Sequence, residues 1–300
     1  GGHRHGLQRH QTAAQQQLTG LRFTKGHGTE NDFVILDDPD GRLELDAARV
    51  AALADRRAGI GGDGVIRAVR SRAAGIDAPA DAPEWFMDYR NADGSIAEMC
   101  GNGVRVLAAH LQRAGHVRED RFAILTRAGV RGVEILERPT GPGAPWQVRV
   151  GMGASRTVPE ARTVEIAELR LDATDVDMGN PHAVAFLPAD VDLDGLDLSR
   201  RPALDPEPAD GANIELVSER GPHHVAMRVH ERGVGETRSC GTGVAAVAVA
   251  AALRAADESR TPWTVDVPGG RLEVGWTEEG EVTLSGPAQL VADGTTLLSA

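Results

Sequence analysis

The chain carries one lysine, Lys25, and two cysteines, Cys100 and Cys240, and each scarcity excludes some chemistry. A pyridoxal-phosphate enzyme holds its cofactor on a lysine, so that route would have to run through Lys25 alone and is set aside; no cofactor is expected. Two cysteines 140 positions apart (240 − 100), with no Cys-x-x-Cys pair, offer neither a disulfide framework nor the ligands of a structural zinc site, and no metal is expected. Positive charge is short too. The 32 basic residues against 44 acidic ones leave a net −12, which repels phosphate backbones and anionic lipid, so nucleic acid and membrane are poor partners. The most apolar run, Val244 to Leu253, is ten residues, too short to span a bilayer, and no charged-then-apolar signal is read. The expected partner is a small polar molecule and the expected setting the cytoplasm.

Residues 1–20, rich in Gln, His and Gly, read as a disordered leader, with His3, His5 and His10 solvated in preference to binding metal. From Leu21 short β-rich runs alternate with turns: Phe33 to Leu36, Trp85 to Tyr89, Phe122 to Leu125, Val130 to Leu136 and Gln147 to Val150. The second half repeats the texture at Thr163 to Leu169, Ala183 to Leu187, Ile214 to Val217, Val225 to His230, Trp263 to Val267, Leu272 to Trp276 and Val282 to Leu284. Three stretches read as helix: Asp46 to Arg57, Val104 to Ala114 and Val244 to Ala256. The glycines of Gly59 to Gly64 follow a helix instead of a strand and lack the lysine of a P-loop, so they read as a turn and not as a nucleotide site.

Sliding the chain against itself by 140 residues lays Cys100-Gly-Asn-Gly-Val104 over Cys240-Gly-Thr-Gly-Val244, and Met87 to Asn91 over Met227 to Glu231. In both copies a strand leads through a polar turn into Cys-Gly-polar-Gly and then a helix. Val104, Leu107, Ala108 and Leu111 share one face of the first helix, whereas Val244 to Leu253 is apolar on every side and must be buried. Two halves related by duplication follow, each wrapping strands around a central helix. The linker falls between Pro139 and Ser155.

A thiol at the mouth of a helix faces unpaired N–H groups and the positive end of the macrodipole, which is expected to lower its pKa below the usual ~8.5 and make it a usable base or acid. Gly101, Gly103, Gly241 and Gly243 leave those N–H groups open to a carboxylate. One such cysteine is ordinary packing; two at matched positions suggest a pocket between the halves with a thiol on either side. Opposed acid/base groups suit removal of a proton from one face of a carbon and its return on the other, with the helix mouths stabilising charge that builds on the carboxylate.

The segments Lys25-Gly-His-Gly-Thr-Glu-Asn-Asp-Phe33, Gly59-Ile-Gly-Gly-Asp-Gly64, Tyr89-Arg-Asn-Ala-Asp-Gly-Ser95, Cys100-Gly-Asn-Gly103, Gly179-Asn-Pro-His182, Glu231-Arg-Gly233 and Ser239-Cys-Gly-Thr-Gly243, together with Asn213, resemble the diaminopimelate epimerase family, in the family's order. The resemblance implies an α/β fold of two pseudo-symmetric domains, each a β-barrel-like sheet wrapped around a central helix, with the last strand returning to the first: residues 21–153 plus 283–300, and 154–282. It implies an isomerase that interconverts L,L- and meso-diaminopimelate in the lysine pathway without pyridoxal, and a homodimer. Cys100 and Cys240 would be the acid/base pair, with Gly101, Asn102, Gly241 and Thr242 on the reacting carboxylate. Asn31, Gly64, Asn91, Asn180, Asn213, Glu231 and Arg232 would bind the remainder, while His182 and Glu231 would tune the thiols. The chain departs from the commonest pattern at Glu30, where glycine is frequent, at Gly64, which offers only backbone where some members place a glutamine, and at Ala292, where some carry an aromatic. A proline racemase-like enzyme is the nearest rival on the same scaffold, though proline has no distal charged end for Arg232. A thiol redox sensor is the rival from another class.

Overall fold

The computed structural model describes residues 20–298; the leader expected over 1–20 lies outside the described residues apart from Gly20. In chain order the first half comprises β1 (Leu21–Gly28), β2 (Asn31–Asp37), α1 (Ala47–Ala54), β3 (Gly64–Arg70), β4 (Trp85–Asn91), α2 (Gly101–Arg113), β5 (Arg121–Thr126), β6 (Gly129–Glu137) and β7 (Trp146–Gly153). The second comprises β8 (Arg156–Ile166), β9 (Leu169–Asp177), β10 (Pro181–Phe186), β11 (Ala203–Asp205), β12 (Asn213–Gly221), β13 (His224–Glu231), β14 (Gly235–Thr237), α3 (Gly241–Arg254), β15 (Trp263–Val267), β16 (Gly270–Trp276) and β17 (Val282–Thr296).

Strand pairing runs β1–β2–β3–β4–β5–β6–β7 and closes through β17, which pairs with β7 and with β1, so eight strands ring α2. The second half runs β8–β9–β10–β12–β13–β15–β16 and joins the N-terminal end of the same β17. Its wall wraps α3. The internal repeat is visible in strand direction. Parallel pairs occur at β2–β3 and β4–β5 in one half and at β10–β12 and β13–β15 in the other, with antiparallel pairs between them. The fold is therefore α/β, two similar halves each with a sheet around a central helix, and among the described residues no helix is long and apolar enough to cross a membrane.

Side-chain alternation explains which walls are covered. β7 alternates buried and half-buried positions, as expected of a strand with one face on the core. In β2 four consecutive residues are buried, because Phe33 and Ile35 face the α2 core while Val34 and Leu36 pack under α1 with Val50 and Leu53. The α3 sequence is almost entirely Ala and Val, small enough for the wall to close around residues 243–251. Helix α2 differs from its expected one-sided stripe: the ring buries it on every side, Arg105 and His110 included. Two further expectations need correction. The run Thr163 to Leu169 is a hairpin, with the chain turning at Ala167 (φ 52), and α1 is shorter than Asp46 to Arg57, with Asp46 capping it.

One buried polar network braces the first ring. Asp88, 1% exposed, accepts from Arg127 Nη2 at 2.5 Å, Arg67 Nε at 3.0 Å and Arg90 Nε at 3.0 Å. Burial opposes its charge, but the bonds from Arg127 and Arg90 outweigh that and hold the carboxyl below the usual range. Removing one partner of such a cluster strands the other charges. Asp88→Asn is expected to cost about 3–5 kcal/mol in denaturant unfolding at neutral pH. A carboxyl lowered in the fold contributes stability above its unfolded value and loses it as pH falls through the folded one, so the gap from the parent should persist to about pH 4 and close below. A loss under about 1 kcal/mol would mean that the three guanidiniums hold without it.

Candidate active site

Each cysteine is the N-cap of its helix: Cys100 opens α2 and Cys240 opens α3, both with extended backbone. The two mouths abut. A Cβ placed on Gly241 would lie 3.3 Å from Gly101 Cα and 3.4 Å from the backbone nitrogens of Gly101 and Asn102. The first turns of both helices, each with N–H groups that lack helical partners, therefore meet, an arrangement that favours an anion.

Register places the remaining polar residues on the same rims. Gly64 pairs with Asn91 across β3 and β4, and Asn31 begins β2 beside them, its Nδ2 donating to Asp63 Oδ2 at 2.7 Å. In the other half His182 pairs with Asn213, while Glu231, 140 residues on from Asn91, ends β13. The Cys100 thiol donates to Asn31 Oδ1 at 3.4 Å, and Asn102 Nδ2 reaches both Asn31 Oδ1 at 3.1 Å and Ser239 Oγ at 3.1 Å, stitching the halves together. Cys240 Sγ accepts from the Gly243 N–H at 3.4 Å and lies 3.5 Å from Thr242 Oγ1, which receives Asn180 Nδ2 at 3.3 Å. Asn213 Oδ1 holds the Arg232 backbone N–H at 2.8 Å. The Arg232 guanidinium is the outlier of the expected set. It is exposed on the rim and donates to the Asp210 carbonyl at 2.9 Å.

The thiols differ from expectation in acidity. Burial, with Glu231 nearby, pushes Cys100 up to about 11 against the help of the Gly103 and Asn102 N–H groups; burial, with Glu231 and Glu215, pushes Cys240 well above the ordinary thiol range. Dipole stabilisation at a helix mouth is worth about 0.3–1 kcal/mol at an exposed site, less than desolvation of a buried thiolate beside carboxylates. In the protein alone both sulfurs keep their protons at neutral pH.

Several site residues escaped the sequence reading. Glu215, wholly buried on β12, binds His182 Nδ1 through Oε1 at 2.6 Å. Tyr89, also buried, stacks edge-on against Phe33 at 5.7 Å and fills the space a side chain at Gly64 would need, its Cε2 lying 2.6 Å from that glycine's Cβ position. The Thr29-Glu30 turn between β1 and β2 is left-handed at both residues (φ 49 and 63), a conformation that costs a non-glycine residue about 1–2 kcal/mol. It is latched across the halves. Thr29 Oγ1 shares a 2.6 Å hydrogen bond with Ser239 Oγ, and the Glu30 carboxylate pairs with Arg238, giving the departure at position 30 a physical role. Lys25 ion-pairs with Asp32 at 2.6 Å and donates to the Gly61 carbonyl, bracing the loop below Asn31.

The profile of the family described as diaminopimelate epimerase matches residues 23–158 and 174–291. The chain belongs to the diaminopimelate epimerase family. It is 53% identical over 287 residues to the diaminopimelate epimerase of Streptomyces coelicolor, covering 92% of this chain and 95% of that one. With the diaminopimelate epimerase of Thermobifida fusca the identity is 51% over 288 residues, 93% of this chain and 99% of that one. Solved structures of similar fold include a PhzF-family phenazine biosynthesis protein of Bacillus anthracis (TM-score 0.66, 15% identity, 93% of this chain and 99% of that one). A probable proline racemase of Agrobacterium radiobacter is comparable (TM-score 0.64, 13% identity, 92% of each chain).

Proposed function

We propose that the protein interconverts L,L- and meso-diaminopimelate without a cofactor, using Cys100 and Cys240 as opposed base and acid. The observation that carries this reading is the meeting of two helix N-termini at Gly101 and Gly241, each led by a cysteine. The reacting carboxylate would lie on the N–H groups of Gly101, Asn102, Gly241 and Thr242. There the charge that builds as the α-proton leaves is stabilised by donors already in place. With substrate bound, one thiol releases its proton to solvent, the resulting thiolate removes the α-proton, and the opposite thiol delivers its own to the other face, leaving the enzyme with the roles exchanged. The substrate's α-ammonium would lie near Glu231, and its positive charge would offset the carboxylate that helps raise both thiols. Asn31, Asn91 and the Gly64 backbone would serve this end with Glu231, while Asn180, Asn213 and Arg232 would take the distal amino-acid end, the Arg232 fork turning from Asp210 to a carboxylate. We further propose the division into residues 21–153 with 283–300 and 154–282, supported by the matching strand directions of the two walls.

The test is incubation of L,L-diaminopimelate with the enzyme in deuterated water, read by chiral separation and mass spectrometry. The meso product is expected to carry one deuterium at the inverted carbon, with the distal carbon unlabelled. At low conversion, before back-reaction mixes the two equivalent ends of the L,L isomer, inversion without label, or label at both ends of one molecule, would rule out the two-thiol scheme. A proline racemase-like activity has no comparable support, because proline offers nothing to the distal set.

A further inference from the structure

Inward-facing positions of the second wall are filled by side chains such as Val184, Val217, Val229 and Met227, which pack against α3. Glu215 breaks that rule. It sits one inward position before Val217 on β12, fully buried, where an apolar residue would pack and a carboxylate costs several kcal/mol unless compensated. Its compensation is directed. Oε1 binds His182 Nδ1 at 2.6 Å, and the opposite ring nitrogen, Nε2, lies 3.1 Å from Asn180 Oδ1. An oxygen therefore faces each ring nitrogen, so the ring is held at both ends. The sequence of contacts continues from Asn180 Nδ2 to Thr242 Oγ1 at 3.3 Å and from there to Cys240 Sγ at 3.5 Å. A second arm closes the loop: Glu215 Oε1 lies 2.7 Å from where a Cβ of Gly243 would be, and the Gly243 N–H donates to the Cys240 sulfur. Among the described residues the side-chain hydrogen-bond partner of the Cys100 thiol is the Asn31 amide, and no carboxylate–imidazole pair is linked to it by hydrogen bonds, although Glu231 acts on it through charge.

We propose that Glu215 is a positioning residue that fixes the proton of His182 and, through Asn180 and Thr242, sets the hydrogen bonding of Cys240 alone. The proposal rests on the reading of Cys240 as an acid/base group, yet its geometry is independent of which substrate is used. The charged or titratable groups around Cys240 are Glu215 from β12, Glu231 from β13 and His182 from β10, with Cys100 and Tyr89 on the first-half side. Removing the Glu215 charge takes away one of the two carboxylates that oppose a thiolate at Cys240, so that thiol becomes more acidic even as the groups that aim it are released.

The experiment compares Glu215→Gln with the parent, without substrate, by iodoacetamide alkylation across pH with mass spectrometric assignment of each cysteine. At a fixed pH below both thiol values, Cys240 is expected to alkylate about tenfold faster, a shift of about one pH unit in its profile, while Cys100 changes less than about twofold. Epimerisation should fall about 10²-fold, with most of the loss in kcat. In a His182→Gln background the Glu215→Gln change should have little further effect on the epimerisation rate, since the two position Cys240 as one unit, while the Cys240 alkylation profile still moves with loss of the carboxylate. Equal shifts at both cysteines, an unmoved Cys240 profile, or additive losses of epimerisation rate in the double variant would overturn the proposal. Should Glu215→Gln fail to fold, His182→Gln alone reads the same linkage from the other partner, and an unmoved Cys240 profile there overturns it equally. A Cys240-specific shift in a protein that epimerises no isomer of diaminopimelate would leave the positioning role intact and remove the substrate assignment instead.

Discussion

Cys100→Ala and Cys240→Ala are each expected to slow epimerisation by at least about 10³-fold while leaving the protein folded. Loss of either thiol removes one of the two proton-transfer groups, and positioned acid/base groups contribute about 10² to 10⁴ each. Because inversion needs both faces served, no bypass through the remaining sulfur produces the opposite epimer. The fold should tolerate both changes. Cys100 makes no side-chain cap bond to α2, and Cys240 contributes one weak acceptor to Gly243, worth on the order of 1 kcal/mol as a cap. Deuterium adds a sharper reading, since a single-cysteine variant can remove and return a proton on one face only. Slow label entry should be confined to one stereoisomer in Cys100→Ala and to the other in Cys240→Ala. Parental turnover in either variant would end the two-thiol assignment.

Gly241→Ala is expected to lower kcat/KM by about 10²–10³-fold, the loss that follows removal of one well-placed donor to a developing oxyanion. Its new methyl would stand 3.3–3.4 Å from Gly101 and the Asn102 nitrogen, in the gap where the helix ends meet. The neighbouring backbones can yield a few tenths of an ångström, so stability should change little. The carboxylate seat cannot yield, because any outward shift of one mouth lengthens every N–H contact from that side. Gly132→Ala is the control. A Cβ there meets nothing within 4 Å, and that variant should keep its rate within about twofold. If Gly241→Ala behaved like the control, the substrate carboxylate would have to bind elsewhere.

Much of this site was legible because its chemistry is concentrated in short motifs. Cys-Gly-polar-Gly before an apolar run marks a helix mouth wherever it occurs, and its recurrence at one offset announced the duplication. Strands β1 and β3 are hidden in the sequence for separate reasons. β1, Leu21–Gly28, carries Lys25, Gly26 and His27 and lacks apolar alternation because both its sheet neighbours and the Lys25 ion pair satisfy polar groups along it. β3 begins in a glycine turn, which hid its first residues. Arg105 and His110 made α2 look one-sided, since nothing in a helical pattern says that a ring will close behind it. The thiol acidities were misjudged for a similar reason: the dipole is local and readable, whereas Glu231 and Glu215 reach the cysteines only through tertiary packing. Glu215 did leave a trace, a single charge inside the apolar run Ile214 to Val217. A lone acid in a strand with both faces buried deserves a search for its partner.

The shared strand β17 also governs the order in which the protein can be made. The wall around α2 is assembled from residues 21–153, but its eighth stave is Val282–Thr296, separated by the whole of the second half. On the ribosome that stave emerges after every other described strand, so the first wall stands open, with the edges of β1 and β7 unpaired, while the rest is translated. The finished molecule inherits the same dependence: peeling β17 away strips one wall of its closure and the other of its neighbour to β16, which binds the fate of the two halves into a single cooperative event.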